Sequence, residues 1–164
     1  MALTLNTALW FLPFVLPICL YVMWTDMKYM KITNKAVVAL FVVFAVVGLF
    51  ALPFDQYIWR YSNLALVLAA GFLMSAARLV GAGDAKFAAA MAPFIAMPDT
   101  LLFLMLFSAV LLVTFTAHRV AGRIPALRSA TADWVSWTKK RDFPMGLALG
   151  GTLGIYLLMP VIML

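Results

Sequence analysis

Long uncharged runs of apolar residues set the strongest limit on how this chain can fold. The first 24 residues carry no charge, and further apolar runs follow to the C-terminus, separated by polar connections. Hydrophobic residues make up 66% of the 164 residues and charged residues only 11%. A soluble domain is about half apolar and a quarter charged. The chain is therefore predicted to be an all-α polytopic membrane protein embedded in a lipid bilayer.

The runs predict about six transmembrane helices within a single transmembrane domain. The fourth run is short, about 20 Å of helix against a hydrocarbon core of about 30 Å. We therefore expect its start, with Asp84, to lie below the membrane surface. Asn34 or Thr33 is expected to cap the second helix, and Asp99 the fifth. The predicted helices cover residues 7–24, 36–52, 58–80, 85–97, 100–117 and 144–163.

Two connections are more polar than the rest. Residues 25–35 are predicted to form a loop with three lysines, and residues 118–143 form the only long polar segment. Trp134 and Trp137 lie three residues apart in this segment. Their spacing predicts a helix over residues 132–139 that lies in the membrane interface.

Lysine and arginine are distributed unevenly between the connections. The first, third and fifth connections hold three, two and six of them, whereas the second holds only Arg60 and the fourth holds none. Cytoplasmic loops of inner-membrane proteins carry the excess of positive charge. The odd connections are therefore predicted to be cytoplasmic and both termini external. Because this placement explains the net charge of +6, we expect no nucleic-acid partner.

Few side chains are available for chemistry. All six acidic residues are Asp, and there is one His, His118, and one Cys, Cys19. This composition excludes the H-E-x-x-H zinc motif, a zinc site of the usual His/Cys type and an internal disulfide. The G-x-x-x-x-G-K-[ST] phosphate loop and the G-x-S-x-G serine motif are also missing. Any catalysis must therefore depend on carboxylates, and we expect neither a metal nor another cofactor.

Asp26 and Asp84 are the carboxylates that the predicted topology brings to the cytoplasmic side. Asp84 follows Gly81-Ala82-Gly83 at the edge of an apolar segment, where an ionisable residue marks a candidate functional site. Glycines there let a peptide backbone come close. Two neighbouring carboxylates share a proton, and such a pair can hydrolyse a peptide bond through a bound water. The alternative is two separate loop residues paired with Lys28 and Lys86.

Three segments resemble signatures of the prepilin peptidase family. Residues 26–34, from Asp26 to Asn34, are similar to the first signature, an Asp followed by a basic stretch and Ile-Pro-Asn. Residues 78–87 resemble the second, G-x-G-D-x-K, and residues 143–150 resemble the C-terminal Pro-Tyr-Gly segment. This chain has Thr where the first signature usually has Pro, and Met where the last often has Tyr. Neither change affects an aspartate.

The resemblance implies an aspartyl endopeptidase of the bacterial inner membrane. Such an enzyme removes the basic leader peptide of type IV prepilins or pseudopilins at the cytoplasmic face. Asp26 and Asp84 would form the catalytic pair, and the glycines would shape the backbone beside the substrate. The lysine of the second signature could also meet an acidic group of the substrate. The residues assigned to substrate binding or site shaping are Gly81, Gly83, Lys86 and Asn34.

The resemblance is to the short members of the family. Bifunctional members carry a cytoplasmic insert with two C-x-x-C pairs and have an N-methyltransferase activity. This chain has one cysteine and a first loop of about ten residues, so it cannot contain that insert. The chain therefore resembles the peptidase-only members that serve tight-adherence (Flp) pili. Two alternatives stay open: an archaeal preflagellin peptidase, which shares both aspartate motifs, and a small transporter or assembly scaffold. A transporter is expected to show midplane charges and often an internal repeat, and we see no repeat.

Overall fold

The computed structural model describes residues 1–139 and 142–163, and every regular element in this part of the chain is helical. Lys140 and Arg141, two of the basic residues counted in the fifth connection, lie outside the described residues. The prediction of an all-α fold is confirmed. The α-helices are α1 (Leu5–Tyr29), α2 (Asn34–Ala51), α3 (Phe54–Ala76), α4 (Ala82–Met91), α5 (Thr100–Ala121), α6 (Pro125–Ala130) and α7 (Met145–Ile162).

Five helices, α1, α2, α3, α5 and α7, are long and apolar enough to cross a membrane, so this is a polytopic membrane protein. The remaining predicted span, over residues 85–97, differs. Its helix, α4, has ten residues and is about 15 Å long, half of a hydrocarbon core. Two 3-10 turns follow, Ala92–Phe94 and Met97–Asp99. Each contains a proline, which has no N–H to donate and interrupts a helix.

α1 lies at the centre of the bundle, where it packs against α7 and α2. α3 packs on α4 and α5 packs on α7, whereas the described residues of α3 and α5 make no extensive contact with each other. Three of the buried rings meet in the core: the centroid of Phe94 lies 4.9 Å from that of Phe11 and 5.3 Å from that of Phe44. Because lipid tails are as apolar as these side chains, close packing stabilises the contacts between the helices.

Glycines let α7 approach α1 closely. Gly146, Gly150 and Gly154 are spaced by four residues and therefore lie on one face of α7. A Cβ at position 150 would lie 3.0 Å from the backbone oxygen of Cys19, and one at position 146 would lie 2.9 Å from the Cβ of Asp26. The face is therefore a small-residue interface of the G-x-x-x-G kind, on which two membrane helices come into backbone contact.

α1 ends at Tyr29, five residues beyond its predicted end, so the start of the predicted loop over residues 25–35 is helical. The polar residues after position 24 are compatible with a helix. Lys28, in the last turn, interacts favourably with the negative end of the helix dipole. The helix stops where Met30 adopts a left-handed conformation with φ of 52°. As a result, Asp26 is carried by a helix and not by a loop, and it is only 5% exposed.

Asp99 does not cap α5 with its side chain, contrary to the prediction. Its carboxylate accepts hydrogen bonds from the N–H groups of Ala2, at 2.7 Å, and Leu3, at 3.0 Å, and from the hydroxyl of Tyr156, at 2.9 Å. These three distant donors satisfy the buried carboxylate better than one local cap would. The cap predicted for α2 is confirmed, since the Thr33 side chain accepts a backbone N–H of the first turn.

The irregular backbone after α4 is held by buried side chains of α3. Nη1 of Arg60 donates to the carbonyl oxygens of Pro93, at 3.1 Å, and Phe94, at 3.0 Å. Asn63 Nδ2 donates to the oxygen of Ile95 at 3.4 Å. Non-helical backbone at membrane depth is tolerated only where its polar groups find such partners. This polar cluster lies near the N-terminus of α1, at the end of the bundle opposite to the C-terminus of that helix.

The connection after α5 does not form the predicted interfacial helix over residues 132–139, and only a single 3-10 turn occurs there. The residues of this stretch are mostly weak helix formers, so contacts made by their side chains determine the backbone. The rings of Trp134 and Trp137 stack at 6.3 Å, and Trp137 also stacks on His118 at 4.7 Å. His118 belongs to α5, which runs four residues beyond its predicted end.

Candidate active site

Asp26 lies one turn before the end of α1 and faces the first turn of α7. Its Oδ2 accepts a hydrogen bond from the backbone N–H of Gly146 at 2.6 Å. The first N–H groups of a helix have no partner within the helix, and they favour a negative charge. A Cβ at position 146 would lie 3.0 Å from this oxygen, so glycine leaves room for the carboxylate. This hydrogen bond favours the charged form of the Asp26 carboxylate.

Asp84 lies in the first turn of α4, which begins three residues earlier than predicted. Burial, and then the negative charge of Asp26, raise the pKa of the Asp84 carboxyl from 3.8 to about 6, against the opposing effect of a hydrogen bond from the Gly81 backbone. Burial and a neighbouring negative charge both disfavour the ionised form of a carboxyl group, so the group binds its proton more tightly. The negative charge of Asp26 therefore acts on Asp84, although 58 positions separate the two residues in sequence.

Both aspartates line a single cavity of about 690 Å³. Residues from the connections that follow α1 and α3, and from the one that precedes α7, form most of its wall. The cavity is thus located where the three lysine- and arginine-rich connections meet. It brings together all the residues singled out from the sequence, namely Asp26, Asn34, Gly81, Gly83, Asp84 and Lys86.

The two glycines before Asp84 differ in their surroundings. A Cβ at position 81 would come within 2.7 Å of Asp84 Oδ2, which would push the carboxylate away. A Cβ at position 83 would meet Ile32 at an ordinary contact distance of 3.5 Å. Neither glycine has a positive φ. The close approach of the carboxylate therefore explains Gly81, whereas nothing in the packing of the described residues requires Gly83 to be a glycine.

Among the charged residues on the rest of the cavity wall, lysines outnumber carboxylates. Lys31, Lys86 and Lys139 line it, with one further carboxylate, that of Asp142. Lys139 and Asp142 approach to 4.0 Å, but both side chains are more than half exposed, so this ion pair contributes little. The wall would therefore attract a negatively charged group of a ligand. Within residues 1–139 and 142–163, no three His, Cys, Asp or Glu side chains are grouped as a metal site.

The connection between α5 and α7 contributes a wall that the sequence did not predict. Its 3-10 turn, Val135–Trp137, packs against α1, and Nζ of Lys28 lies 3.1 Å from Oδ2 of Asp133. Phe143 lines the cavity, and its ring meets that of His118 edge-on at 5.9 Å. The ring contacts thus hold this polar segment over the end of α1, beside the aspartates, and the exposed ion pair adds little.

Gly146 is a further residue in contact with Asp26 that was not predicted from the sequence. Its contact with Asp26 joins residues 120 positions apart, and no local pattern encodes such a distance. A signal was nonetheless present, because the four-residue spacing of Gly146, Gly150 and Gly154 predicts a closely packed helix face. A membrane-embedded helical bundle with two coupled carboxylates in one cavity is the class of protein that the fold and the site define.

Residues 13–117 of the chain, close to two thirds of its length, match the model of the type IV leader peptidase family. The chain therefore belongs to the type IV leader peptidase family, whose members are peptidases of the aspartic type. Asp26 and Asp84 fall within the matched residues, and α7 lies beyond them. Neither the curated proteins nor the solved structures gave a match to this chain.

Proposed function

We propose that this protein is an aspartic endopeptidase that removes the basic leader peptide of type IV or Flp prepilins, or of pseudopilins, with Asp26 and Asp84 as its catalytic pair. The observation that carries the proposal is the electrostatic coupling of the two aspartates in one open cavity, with the pKa of Asp84 raised to about 6. A pair that shares one proton provides an acid and a base at the same place.

In the proposed mechanism, Asp26 is the base and Asp84 is the acid. Asp26 removes a proton from a bound water while the oxygen of that water attacks the scissile carbonyl carbon. Asp84 gives its proton to the carbonyl oxygen, and a tetrahedral diol forms. The proton on Asp26 then passes to the peptide nitrogen, a diol hydroxyl returns a proton to Asp84, and the C–N bond breaks. One water is consumed, and both carboxyls regain their starting states.

The roles of the two aspartates follow from their surroundings. The Gly146 N–H makes Oδ2 of Asp26 a hydrogen-bond acceptor, and the N-terminal end of α7 favours its negative charge. Asp84 has a pKa of about 6, so roughly a tenth of the molecules keep this proton at pH 7 even without substrate. Because the aspartates are coupled, the two measured titrations will belong to the pair and not to either residue alone.

We further propose that the cavity opens to the cytoplasm and that both termini are external. Support comes from the wall of the cavity, which is built from connections one, three and five, the ones that hold most of the lysines and arginines. Positive charge concentrates on cytoplasmic loops. A leader that stays in the cytoplasm would meet the aspartates on this side of the inner membrane.

We also propose that the protein is a peptidase only, without N-methyltransferase activity. The connection between α1 and α2 is four residues long, from Met30 to Thr33, because α1 extends further than the sequence suggested. A segment of this length cannot hold the cysteine-rich insert of the bifunctional members. The resemblance to the Flp peptidases depends on the absence of this insert.

Co-expression with a prepilin encoded in the same genome tests the proposal. The full chain should shorten the prepilin by its leader, as measured by intact-mass spectrometry, and should leave the new N-terminus unmethylated. Asp26→Asn and Asp84→Asn should each abolish cleavage, because either change removes one half of the acid–base pair. Asp55→Asn is the matched control, since Asp55 is exposed and lies outside the cavity.

Full cleavage by either Asp26→Asn or Asp84→Asn would refute the two-aspartate mechanism. Cleavage of a preflagellin in place of the prepilin would keep the chemistry and correct the substrate. A wild-type protein that is inserted in the membrane and cuts neither precursor would favour the scaffold alternative.

A further inference from the structure

The chain leaves the helical bundle after α5. That helix ends at Ala121, and a turn leads into α6. All residues from 123 to 130, which we call the α6 segment, are exposed, and no other described helix packs extensively on α6. A helix of only six residues is not stable by itself in water. The α6 segment therefore needs support from a surface outside the described part of the chain.

One side of the α6 segment is apolar. Ile124, Leu127 and Ala130 are three residues apart and share this side, and the two larger side chains are 42% and 47% exposed. Ser129 lies nearly opposite to Leu127, because two residues turn a helix by about 200°. Arg128 lies between the two sides. This is the pattern of an amphipathic helix, which needs an apolar surface on one side and water on the other.

The neighbouring contacts show the depth at which the α6 segment lies. α5 is long and apolar enough to span the membrane, and it ends two residues before this segment begins. Asp133, three residues after α6, pairs with Lys28 at the end of α1. Nζ of Lys28 lies 5.5 Å from the ring of Trp24 and 5.6 Å from that of Tyr29, and both rings are about half exposed. Exposed Trp and Tyr rings of spanning helices concentrate at the level of the lipid headgroups. The α6 segment is therefore next to the headgroups.

The charge of this part of the chain has one sign. Arg123 and Arg128 are exposed, and no acidic residue occurs between Asp99 and Asp133. Arginine covers apolar surface with its stem and keeps its charged head among polar groups. Such side chains beside an apolar helix face match the phosphates of an anionic lipid surface. A second copy of the chain would instead bring like charges together.

We infer that the α6 segment binds the surface of anionic phospholipid, with Ile124 and Leu127 at the acyl boundary and the two arginines on the lipid phosphates. The membrane then supplies the surface that the bundle does not provide for this short helix. Each arginine near an anionic surface strengthens the contact about fivefold. The inference does not depend on the proposed function, because it concerns the lipid and not the aspartates.

Spin labels on the two sides of α6 test the position of the segment. Leu127→Cys and Ser129→Cys are made in a Cys19→Ser background, which removes the only cysteine of the chain. Both side chains are exposed, so a label displaces no packed neighbour. In liposomes of phosphatidylcholine and phosphatidylglycerol in equal amounts, the label at 127 should be more accessible to oxygen, which concentrates in lipid, than to a water-soluble nickel complex. The label at 129 should show the reverse.

The same label at position 127 tests the role of charge, through the ratio of its immobile to its mobile spectral component. Replacing pure phosphatidylcholine by the equal mixture should raise this ratio about tenfold or more, because two arginines meet anionic headgroups. With Arg123→Gln and Arg128→Gln together, the rise should be about twofold or less. Lys35→Gln with Arg78→Gln is the matched control, since it removes two exposed positive charges outside the α6 segment and should keep the rise.

Equal access of the nickel complex to positions 127 and 129 in both lipid mixtures would overturn the inference. So would a label at 127 that lies in lipid but responds to phosphatidylglycerol equally with and without the two arginines. Spectral broadening at 127 that disappears when the labelled protein is diluted with unlabelled protein would indicate a second copy of the chain on α6, and it would also overturn the inference.

Discussion

Asp84→Asn should make the protein more stable at neutral pH while it removes the activity. The folded protein holds the proton of Asp84 with a pKa of about 6, compared with an ordinary value of 3.8. Above pH 6 the folded state therefore carries a charge that its surroundings disfavour, at a cost of up to about 3 kcal/mol. Partial exposure of Asp84 lowers this figure, and we expect about 1–2 kcal/mol. Asn has the same shape and cannot ionise.

The sign of the pH dependence is specific. Because the folded state binds this proton more tightly than the unfolded state, Asp84 lowers the stability as the pH rises from about 4 to about 6, and its effect is constant above that range. The advantage of Asp84→Asn should therefore be small at pH 4 and complete at pH 8. On the scale of proteins of this size, about 1–2 kcal/mol corresponds to roughly 2–8 °C in Tm.

Thermal unfolding in a non-ionic detergent, from pH 4 to pH 8, measures this difference directly. Asp55→Asn controls for the loss of one negative charge at an exposed position. Asp26→Asn should reduce the gain from Asp84→Asn, because the charge of Asp26 is the second cause of the raised pKa. An Asp84→Asn protein that is no more stable than wild type at pH 8, or whose advantage does not change with pH, would contradict the coupled pair.

Three further predictions concern the same site. Gly146→Ala should reduce the cleavage rate at least tenfold with the protein still inserted, because the new Cβ would lie 2.9 Å from the Cβ of Asp26. Steady-state kinetics with a prepilin measure this, and a rate near wild type would count against the contact. The value of kcat/KM should fall as the pH rises through about 6, where Asp84 loses its proton, and a rate that keeps rising above pH 7 would disagree. A membrane-impermeant thiol reagent applied to intact cells should label Asp55→Cys but not Lys31→Cys, and the reverse pattern would invert the topology.

Several features of the fold follow directly from the sequence. Uninterrupted apolar runs predict spanning helices, because a helix satisfies the backbone hydrogen bonds that lipid cannot. Five of the predicted spans have helices of sufficient length. The grouping of Asp26 with Asp84 could also be predicted, since basic residues mark the connections next to both. These are properties of composition along the chain, and they do not depend on how the helices pack.

The parts that could not be predicted depend on packing between distant residues. Asp99 has the position of a helix cap, but three donors from elsewhere in the chain satisfy it. The tryptophans of the polar connection have helical spacing, but they stack with each other and with His118. In both cases a local preference of about 1 kcal/mol is outweighed by several tertiary contacts. Gly146 belongs to the same group, because its role exists only once α7 lies against α1.

α4 crosses only about half of the hydrocarbon thickness, and Asp84 lies at its start. A helix this short is mismatched to the bilayer, and the neighbouring helices must shield it from the lipid. Most of its later residues are buried by those neighbours, whereas its first turn opens into the cavity that Asp26 also lines. Water can therefore reach Asp84 without passing through hydrocarbon. Under the proposed function, membrane thickness becomes a physical variable of catalysis, because a thicker bilayer would place the same carboxyl further from the headgroups and from its supply of water.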